Sequence, residues 1–261
     1  YCNKIPRQGE TLRALCMAAS MRLPPKKSYS SESYLASEQK NVLLISSKNG
    51  YENVASAWGV AESHWSWNAK IADLDNDGWQ DIYIGNGFLF GGLGRHVHSN
   101  VFFHNEAGKG FKRAEEAFGL VDYLNTPSFT YIDFDQDGDL DIISNRVSAD
   151  LGVFVNHAQQ NAIRFSLRDK REGPQAVNRS TLGSKISIFY GEGLKEQQLR
   201  EIKLSGGFLS FDQAVAHFGL GRHQFIERLL IEWPDGLKSE VSASDNNVLL
   251  RAGYHYVFTR Q

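Results

Sequence analysis

Two nine-residue segments have the residue types and spacing of a metal-binding loop. They are Asp73–Asp81, DLDNDGWQD, and Asp133–Asp141, DFDQDGDLD, and both read D-x-D-x-D-G-x-x-D. Carboxylates at positions 1, 3 and 5 are ligands of hard cations, and the Gly at position 6 permits a sharp turn around an ion. Because oxygen ligands in a flexible loop favour Ca²⁺ over Zn²⁺ or Mg²⁺, the sequence predicts two calcium sites.

Each loop is expected to provide carboxylates from positions 1, 3, 5 and 9 and a backbone carbonyl from position 7. The predicted ligands are Asp73, Asp75, Asp77, Trp79 and Asp81 in the first loop and Asp133, Asp135, Asp137, Asp139 and Asp141 in the second. Carboxylates this close together repel one another, and a divalent cation relieves that repulsion.

An EF-hand is the first alternative to this interpretation. It requires a Glu at position 12, where these loops have Ile84 and Ser144, and it requires flanking helices. The flanking segments, such as DIYIG and YIDF, are β-branched and aromatic and therefore predict strands. The other alternative is two acidic surface turns without metal. The recurrence of the motif with its Gly in register disfavours that alternative.

The loops belong to an internal repeat. The matching positions, 60 residues apart, are Tyr51 with Phe111, Trp58 with Phe118, and Asp73 with Asp133. A third unit is expected to start near Val153. Such a period with several short strands predicts β-propeller blades. Alternation between residues 65 and 71 also predicts a strand, with Trp65, Trp67, Ala69 and Ile71 on one face and Ser66, Asn68 and Lys70 on the other.

With these loops and this period, residues 41–157 resemble FG-GAP or VCBS repeats, the calcium-binding blades that also form integrin α-chain propellers. The resemblance implies that the aspartates of both loops bind structural Ca²⁺ within blades. No FG-GAP motif is present in order, and residues 85–87 and 144–146 occupy the corresponding strand ends.

Residues 178–258 resemble a different family, the ASPIC/UnbV domain, which follows such repeats in the cartilage acidic protein family and in many bacterial secreted proteins. The matching pieces are Asn178-Arg179, Gly183, Arg200-Glu201, His217–Gly221 and Trp233–Gly236. Phe208 and residues 211–213 stand where the family usually has a Tyr and a Gln-Ser. Alternating apolar residues predict a small β-sandwich or barrel here, and Pro234-Asp235-Gly236 predicts a turn.

The sequence therefore predicts an all-β fold, with partial β-propeller-type calcium-binding blades followed by a small β-sandwich or barrel domain. Residues 1–40 are expected to form an N-terminal helix and an extended arm, residues 41–160 the repeats, and residues 161–261 the ASPIC/UnbV-like domain. Cys2 and Cys16 form a disulfide or remain free thiols; the sequence leaves both open.

Charge and hydropathy restrict the partners. The formal charge of −2 would become +2 with two bound Ca²⁺, and neither value favours nucleic acid or an acidic membrane. No apolar run approaches the length of a membrane span. Since Tyr1 is neither a Met start nor the beginning of a signal-peptide pattern, we expect a processed or truncated chain. The resemblance to secreted repeat proteins implies a secreted, extracellular or periplasmic location.

Other residues have a functional and a plainer interpretation. His96 and His98, with His104 nearby, suit a transition metal, although an exposed Gly-rich loop is favoured.

His217 suits catalysis, but without a nucleophile or a second acid or base it is expected to bond a turn carbonyl. Asn178 begins a glycosylation sequon. The rings of Trp58, Trp65 and Trp67 suit sugar stacking, and core packing is favoured.

These observations predict a secreted, calcium-binding, non-enzymatic protein for adhesion or assembly. The alternative is a carbohydrate-binding or accessory subunit of an extracellular enzyme; a hydrolase or lyase lacks a visible catalytic constellation. Two clear blades do not close a propeller, so a protein partner or further blades are expected to pack against residues 41–160. The rival is a compact monomer in which residues 178–258 cover the exposed sheet faces.

Overall fold

The computed structural model describes residues 40–87, 98–171, 181–204, 206–243 and 249–261. The expected N-terminal helix and arm, Cys2, Cys16, His96 and the Asn178 sequon lie outside these ranges. Asn41–Gln261 forms one compact unit. Within the described ranges, no helix is long and apolar enough to cross a membrane.

The all-β prediction is confirmed, because the regular elements of the described residues are strands apart from a short 3-10 turn at Glu192–Leu194. The strands of the repeat region are β1 (Leu44–Ser47), β2 (Gly50–Asn53), β3 (Ser66–Ala72), β4 (Asp81–Asn86), β5 (Val101–Asn105), β6 (Phe111–Arg113), β7 (Ser128–Ile132), β8 (Asp141–Asn145) and β9 (Gly152–Phe154). Those that follow are β10 (Asn161–Asp169), β11 (Lys185–Tyr190), β12 (Glu196–Glu201), β13 (Ala216–Gly221), β14 (Phe225–Ile226), β15 (Arg228–Glu232), β16 (Lys238–Ser242), β17 (Leu250–Arg251) and β18 (His255–Arg260).

The repeat region contains three antiparallel sheets: the hairpin β1-β2, the four-stranded sheet β3-β4-β5-β6 and the three-stranded sheet β7-β8-β9. Backbone hydrogen bonds recur between them at a spacing of 60 residues. Donor first, the pairs are Trp58 to Val54 and Phe118 to Ala114, Val60 to Ala55 and Leu120 to Glu115, and Gly87 to Trp65 and Val147 to Asn125. The repeat in the sequence is therefore also a repeat in backbone geometry.

The four-stranded sheet is covered on both faces, since every residue of β4 is buried. Side chains alternate along a strand. Ile82 and Ile84 join a core with Val60, whereas Tyr83 joins a second core with Phe129 of the next sheet. The sheets thus stack in chain order. Among the described residues they remain separate sheets of two to four strands and do not close into a propeller.

The C-terminal half contains the sheets β13-β10-β18 and β12-β11-β15-β16 and the short pair β14-β17. All of their strand pairs are antiparallel except β10 with β18. The two larger sheets enclose one core that includes Phe165, Ile186, Ile188, Phe218 and Leu229.

Strand β3 alternates as predicted, but its buried face is the polar one. Asn68 and Lys70 are buried, whereas Ile71 is 57% exposed. The reason lies in a segment more than 130 residues away, which supplies polar partners. Lys70 Nζ lies 2.7 Å from Asp212 Oδ1, and Asn68 Nδ2 donates to Ser210 Oγ over 3.2 Å.

The predicted turn at residues 234–236 is confirmed between β15 and β16. The Trp233 N–H donates to the Leu237 carbonyl over 2.8 Å, which closes the turn. Gly236 has φ 83°, a left-handed conformation that favours glycine.

Candidate metal centre

The first aspartate loop connects β3 to β4. Asp73 follows the last residue of β3, and Asp81 is the first residue of β4. The chain turns back through two left-handed residues, Asn76 with φ 62° and Gly78 with φ 96°. The Gly78 N–H donates to Asp73 Oδ2 over 3.0 Å. Residues that tolerate positive φ therefore allow the loop to fold back on its own carboxylates.

Three carboxylates converge inside this loop. Ligand oxygens of Asp73, Asp75 and Asp81 lie within 4.8 Å of one another. Asp73 and Asp81 are each 1% exposed. Asp73 Oδ1 is buried and accepts no hydrogen bond from any described residue. A buried oxygen without a donor is costly, so this oxygen fits a site that receives a cation.

The second loop connects β7 to β8 in the same way. Ligand oxygens of Asp133, Asp135 and Asp141 lie within 4.8 Å of one another. Gln136 and Gly138 have φ of 65° and 110° and occupy the positions of Asn76 and Gly78. The structure therefore brings together the carboxylates of positions 1, 3 and 9 in both loops.

The position-9 aspartates are fixed by matching backbone donors. In the first loop Asp81 accepts the N–H of Leu74 over 3.0 Å and the N–H of Asn105 over 2.8 Å. In the second loop the corresponding bonds to Asp141, from Phe134 and Asn156, are both 2.7 Å long. Sequence reasoning missed both asparagines, although each ends a Phe-x-Asn segment, FHN and FVN.

Positions 5 and 7 differ from the other predicted ligands. Asp77 Oδ1 accepts the Trp79 N–H over 2.7 Å, and Asp137 Oδ1 accepts the Asp139 N–H over 3.0 Å. Asp77 joins a cluster with Asp75 and His104, but among the described residues Asp137 and Asp139 join no such cluster. The carbonyl role of Trp79 and Asp139 stays a prediction.

Without a bound cation, the ionised forms of the buried carboxylates in the first loop are unfavourable. Burial, together with the nearby carboxylates of Asp77, Asp81 and Asp75, raises the pKa of Asp73 to about 8. Burial also raises the pKa of Asp81 to about 7, against the hydrogen bonds from Asn105 and Leu74. In the second loop burial raises the pKa of Asp139. A bound cation would stabilise the ionised carboxylates.

The two loops differ in their cationic neighbours. Arg164 of β10 forms an ion pair with Asp133 in the second loop. His104 Nε2 lies 3.0 Å from Asp75 Oδ2 in the first. The His98 ring stacks on His64 at a centroid distance of 3.6 Å, and among the described residues it joins no group of candidate metal ligands with His104. Sequence spacing alone indicated neither the contact of Arg164 with Asp133 nor that of His104 with Asp75.

Strand β13 lies against both loops. His217 Nε2 donates to the Gly138 carbonyl of the second loop over 3.2 Å, the turn-carbonyl bond that the sequence predicts. Burial lowers the pKa of His217 to about 3, so its ring is neutral at physiological pH. The Gly221 N–H donates to the Asn76 carbonyl of the first loop over 2.7 Å. Gly219 leaves no room for a Cβ, which would overlap Asp73.

Comparison with known families bears on this strand. Residues 174–254 match the family model described as ASPIC and UnbV. They form an ASPIC and UnbV domain. The match spans β11 to β17 and includes His217 and Gly219, so this domain supplies the surface packed against both aspartate loops. Strands β10 and β18 lie outside the matched residues but contribute to the same core. No curated protein matches the chain.

Proposed function

We propose that this chain is a calcium-binding, non-enzymatic interaction protein. Two FG-GAP or VCBS-type repeats would each bind one Ca²⁺, and the ASPIC and UnbV domain packs over both loops. The observation that carries the proposal is the matched geometry of the loops. Both gather the position-1, position-3 and position-9 carboxylates, and both fix the last of them with two backbone donors.

The donor set suits Ca²⁺. The second loop gathers carboxylate oxygens only, and such ligands favour hard cations such as Ca²⁺ over transition metals. In both loops the first aspartate is buried, and Oδ1 of Asp73 and of Asp133 lacks a hydrogen-bond donor among the described residues. A cation at each centre would satisfy these oxygens.

The sheet stack supports a role in assembly. Tyr83 and Phe102 on one face of the first repeat's sheet are 0% exposed, because the second repeat covers them. Strand register makes Ile143 and Val153 their counterparts in the second repeat. Val153 is 51% exposed and Ile143 is half-buried. We infer that a further β-sheet, from additional blades or a partner chain, covers this face.

The non-enzymatic part of the proposal rests on His217. Its Nε2 already donates to the Gly138 carbonyl, and burial keeps the ring neutral, so it is not placed to exchange protons with a substrate. A calcium-dependent adhesion or assembly role suits a secreted, extracellular or periplasmic protein, where free Ca²⁺ is high enough to fill weak sites.

Calcium titration calorimetry tests this function. The chain should bind two Ca²⁺ with dissociation constants of roughly 10⁻⁴–10⁻³ M, as extracellular modules do. Asp75→Ala and Asp135→Ala should each remove one site and leave the other. A chain that is folded by circular dichroism and binds no Ca²⁺ at these concentrations contradicts the proposal.

A cavity supports the second candidate function, binding of an acidic carbohydrate. It has a volume of about 290 Å³ and lies between the loops and the ASPIC and UnbV domain. Asp73, Asp133, Arg164, Arg200 and Lys203 are among its lining residues. Arg200 packs on the Phe218 ring at 5.0 Å, and its guanidinium donates to the Leu199 carbonyl over 3.0 Å and to Gln198 Oε1 over 2.8 Å. Its remaining N–H groups would bind the carboxylate of the sugar.

Glucuronate is a suitable probe for this second candidate. Titration monitored by NMR should shift resonances of residues that line the cavity, and Arg200→Gln should abolish the shifts. Arg228→Gln is the matched control, since Arg228 also packs on an aromatic ring, Phe189, but is not among the lining residues. Equal shifts in both variants would remove the cavity as the binding site.

A further inference from the structure

The two loops differ at one position that faces the metal centre. Strand β5 ends in Asn105, which donates its N–H to Asp81, and Asn156 makes the same bond to Asp141. The residue before each asparagine is therefore equivalent in the two repeats. It is His104 in the first repeat and Val155 in the second. The first loop has an imidazole where the second has an aliphatic side chain.

His104 is directed at the carboxylates of its loop. Its Nε2 lies 3.0 Å from Asp75 Oδ2, and ligand atoms of Asp75, Asp77 and His104 lie within 4.8 Å of one another. The ring stacks on Phe118 at a centroid distance of 5.5 Å, and Nδ1 lies 3.6 Å from Glu106 Oε1.

A second observation indicates that a ligand belongs in this loop. Asp73 is 1% exposed, and its Oδ1 accepts no hydrogen bond from the described residues. This aspartate gathers with Asp75 and Asp81 in the same loop that His104 approaches. Asp75 belongs to both groups, so the carboxylates around Asp73 and the imidazole of His104 share one candidate ligand residue.

The donor types suit a first-row transition metal. Imidazole nitrogen favours metals such as Zn²⁺, Co²⁺ and Ni²⁺, whereas carboxylates alone favour Ca²⁺ or Mg²⁺. The donor sets of the two loops thus predict different metal preferences.

We propose that the first loop is a mixed aspartate–histidine site for a first-row transition divalent cation and that the second loop is selective for Ca²⁺. His104 is the ligand that sets this difference. The inference rests on the proposed metal-binding function of the loops. It goes further by assigning the two loops different preferred cations, so that the first loop binds Ca²⁺ when no transition metal is present.

Cobalt titration tests the inference because the visible absorption of Co²⁺ reports on its ligands. In an Asp135→Ala chain, which lacks the second site, one Co²⁺ should bind in a large excess of Ca²⁺. His104→Val should weaken that binding at least about tenfold and change the absorption. His104→Gln is the second variant, and circular dichroism checks that both fold. The double variant Asp75→Ala/Asp135→Ala gives the baseline from other side chains.

The reciprocal change provides the matched control. In an Asp75→Ala chain, which lacks the first site, Val155→His should create Co²⁺ binding at the second loop. Equal Co²⁺ affinity and absorption with and without His104 would overturn the inference, and if both loops still bound Ca²⁺ the proposed function would stand. If neither Ca²⁺ nor Co²⁺ bound above the baseline, the proposed function would fail together with the inference.

Discussion

Asn76 in the first aspartate loop donates a hydrogen bond from Nδ2 to Asp139 Oδ1 in the second, over a distance of 2.7 Å. Asn76 is fully buried and is left-handed, with φ 62°. The bond joins position 4 of one loop to position 7 of the other. The two candidate metal centres are therefore linked directly, in addition to their shared contact with β13.

This link predicts that Asn76 couples the loops. Asn76→Ala should lower the free energy of unfolding by about 1–3 kcal/mol, because it leaves the Asp139 carboxylate without this buried donor. It should also weaken Ca²⁺ binding at the second loop. Asn76→Gly is the control for backbone strain, since it removes the amide but tolerates the positive φ. Calorimetry in an Asp75→Ala background measures the Ca²⁺ affinity of the second loop alone. If that affinity is unchanged in both Asn76 variants, the coupling is contradicted.

Removal of calcium should destabilise the chain. Binding to the folded state alone stabilises it by about 2.7 kcal/mol at a ligand concentration 100 times the dissociation constant. The melting temperature measured by calorimetry should therefore fall when excess EGTA replaces Ca²⁺. Asp75→Ala and Asp135→Ala should each show a smaller fall than the parent chain, because each has only one site to lose. The same melting temperature in Ca²⁺ and in EGTA would contradict this prediction.

The local part of the site could be read from the sequence, and the distant part could not. The D-x-D-x-D-G-x-x-D spacing placed carboxylates and a left-handed Gly together because a loop of nine residues determines its own geometry. The contacts of Arg164 with Asp133 and of His104 with Asp75 depend on how strands pair and sheets stack. No local pattern encodes such contacts, so neither could be predicted.

The same distinction applies to the fold. Alternation correctly placed strands such as β3, but it did not indicate which face is buried, because Asn68 and Lys70 find polar partners only through tertiary packing. The turn at residues 234–236 was predictable, since Pro and Gly restrict the backbone on their own. The number of strands in each sheet required the structure.

The buried ion pair of Lys70 and Asp212 should be important for stability. Lys70 is 4% exposed, lies 2.7 Å from Asp212, and its charge also faces the Phe129 ring at 5.1 Å. Burial lowers the pKa of Lys70, and the bond to Asp212 opposes this shift. Asp212→Asn should lower the free energy of unfolding by roughly 3 kcal/mol because it leaves a buried cation without its counter-charge.

Urea denaturation measures this effect, and a double variant is its control. Lys70→Met/Asp212→Asn removes both charges and should recover part of the loss, since no unpaired buried charge remains. Strictly additive losses of unfolding free energy in Lys70→Met, Asp212→Asn and the double variant would mean that the two side chains do not interact.

His217 should make the chain sensitive to acid. Its pKa in the folded protein, about 3, lies below the ordinary value of 6.5, because burial disfavours the charged ring. The folded state therefore binds fewer protons than the unfolded state between these values. The corresponding stability is present above pH 6.5 and is lost as the pH falls towards 3.

The free energy of unfolding should be about 2 kcal/mol lower at pH 5 than at pH 7.5, because pH 5 lies roughly 1.5 pH units below the pKa of this histidine in the unfolded chain. Denaturant unfolding at the two pH values measures it. His217→Gln can still donate to the Gly138 carbonyl but does not titrate, so its loss between the two pH values should be smaller by that amount. An identical pH dependence in the parent and His217→Gln would show that another group is responsible.

The half-exposed face of the second repeat should mediate association. Val153 is 51% exposed where its counterpart Phe102 is completely buried. If a further sheet covers this face, Val153→Glu would bury a charge in the contact and should prevent association, which native mass spectrometry at low micromolar concentration detects. Leu151→Glu is the matched control, since Leu151 is 63% exposed and lies just outside strand β9. A folded, calcium-loaded parent chain that is monomeric, alone and with candidate partners, would favour the rival monomer, in which residues 178–258 cover the sheets without help.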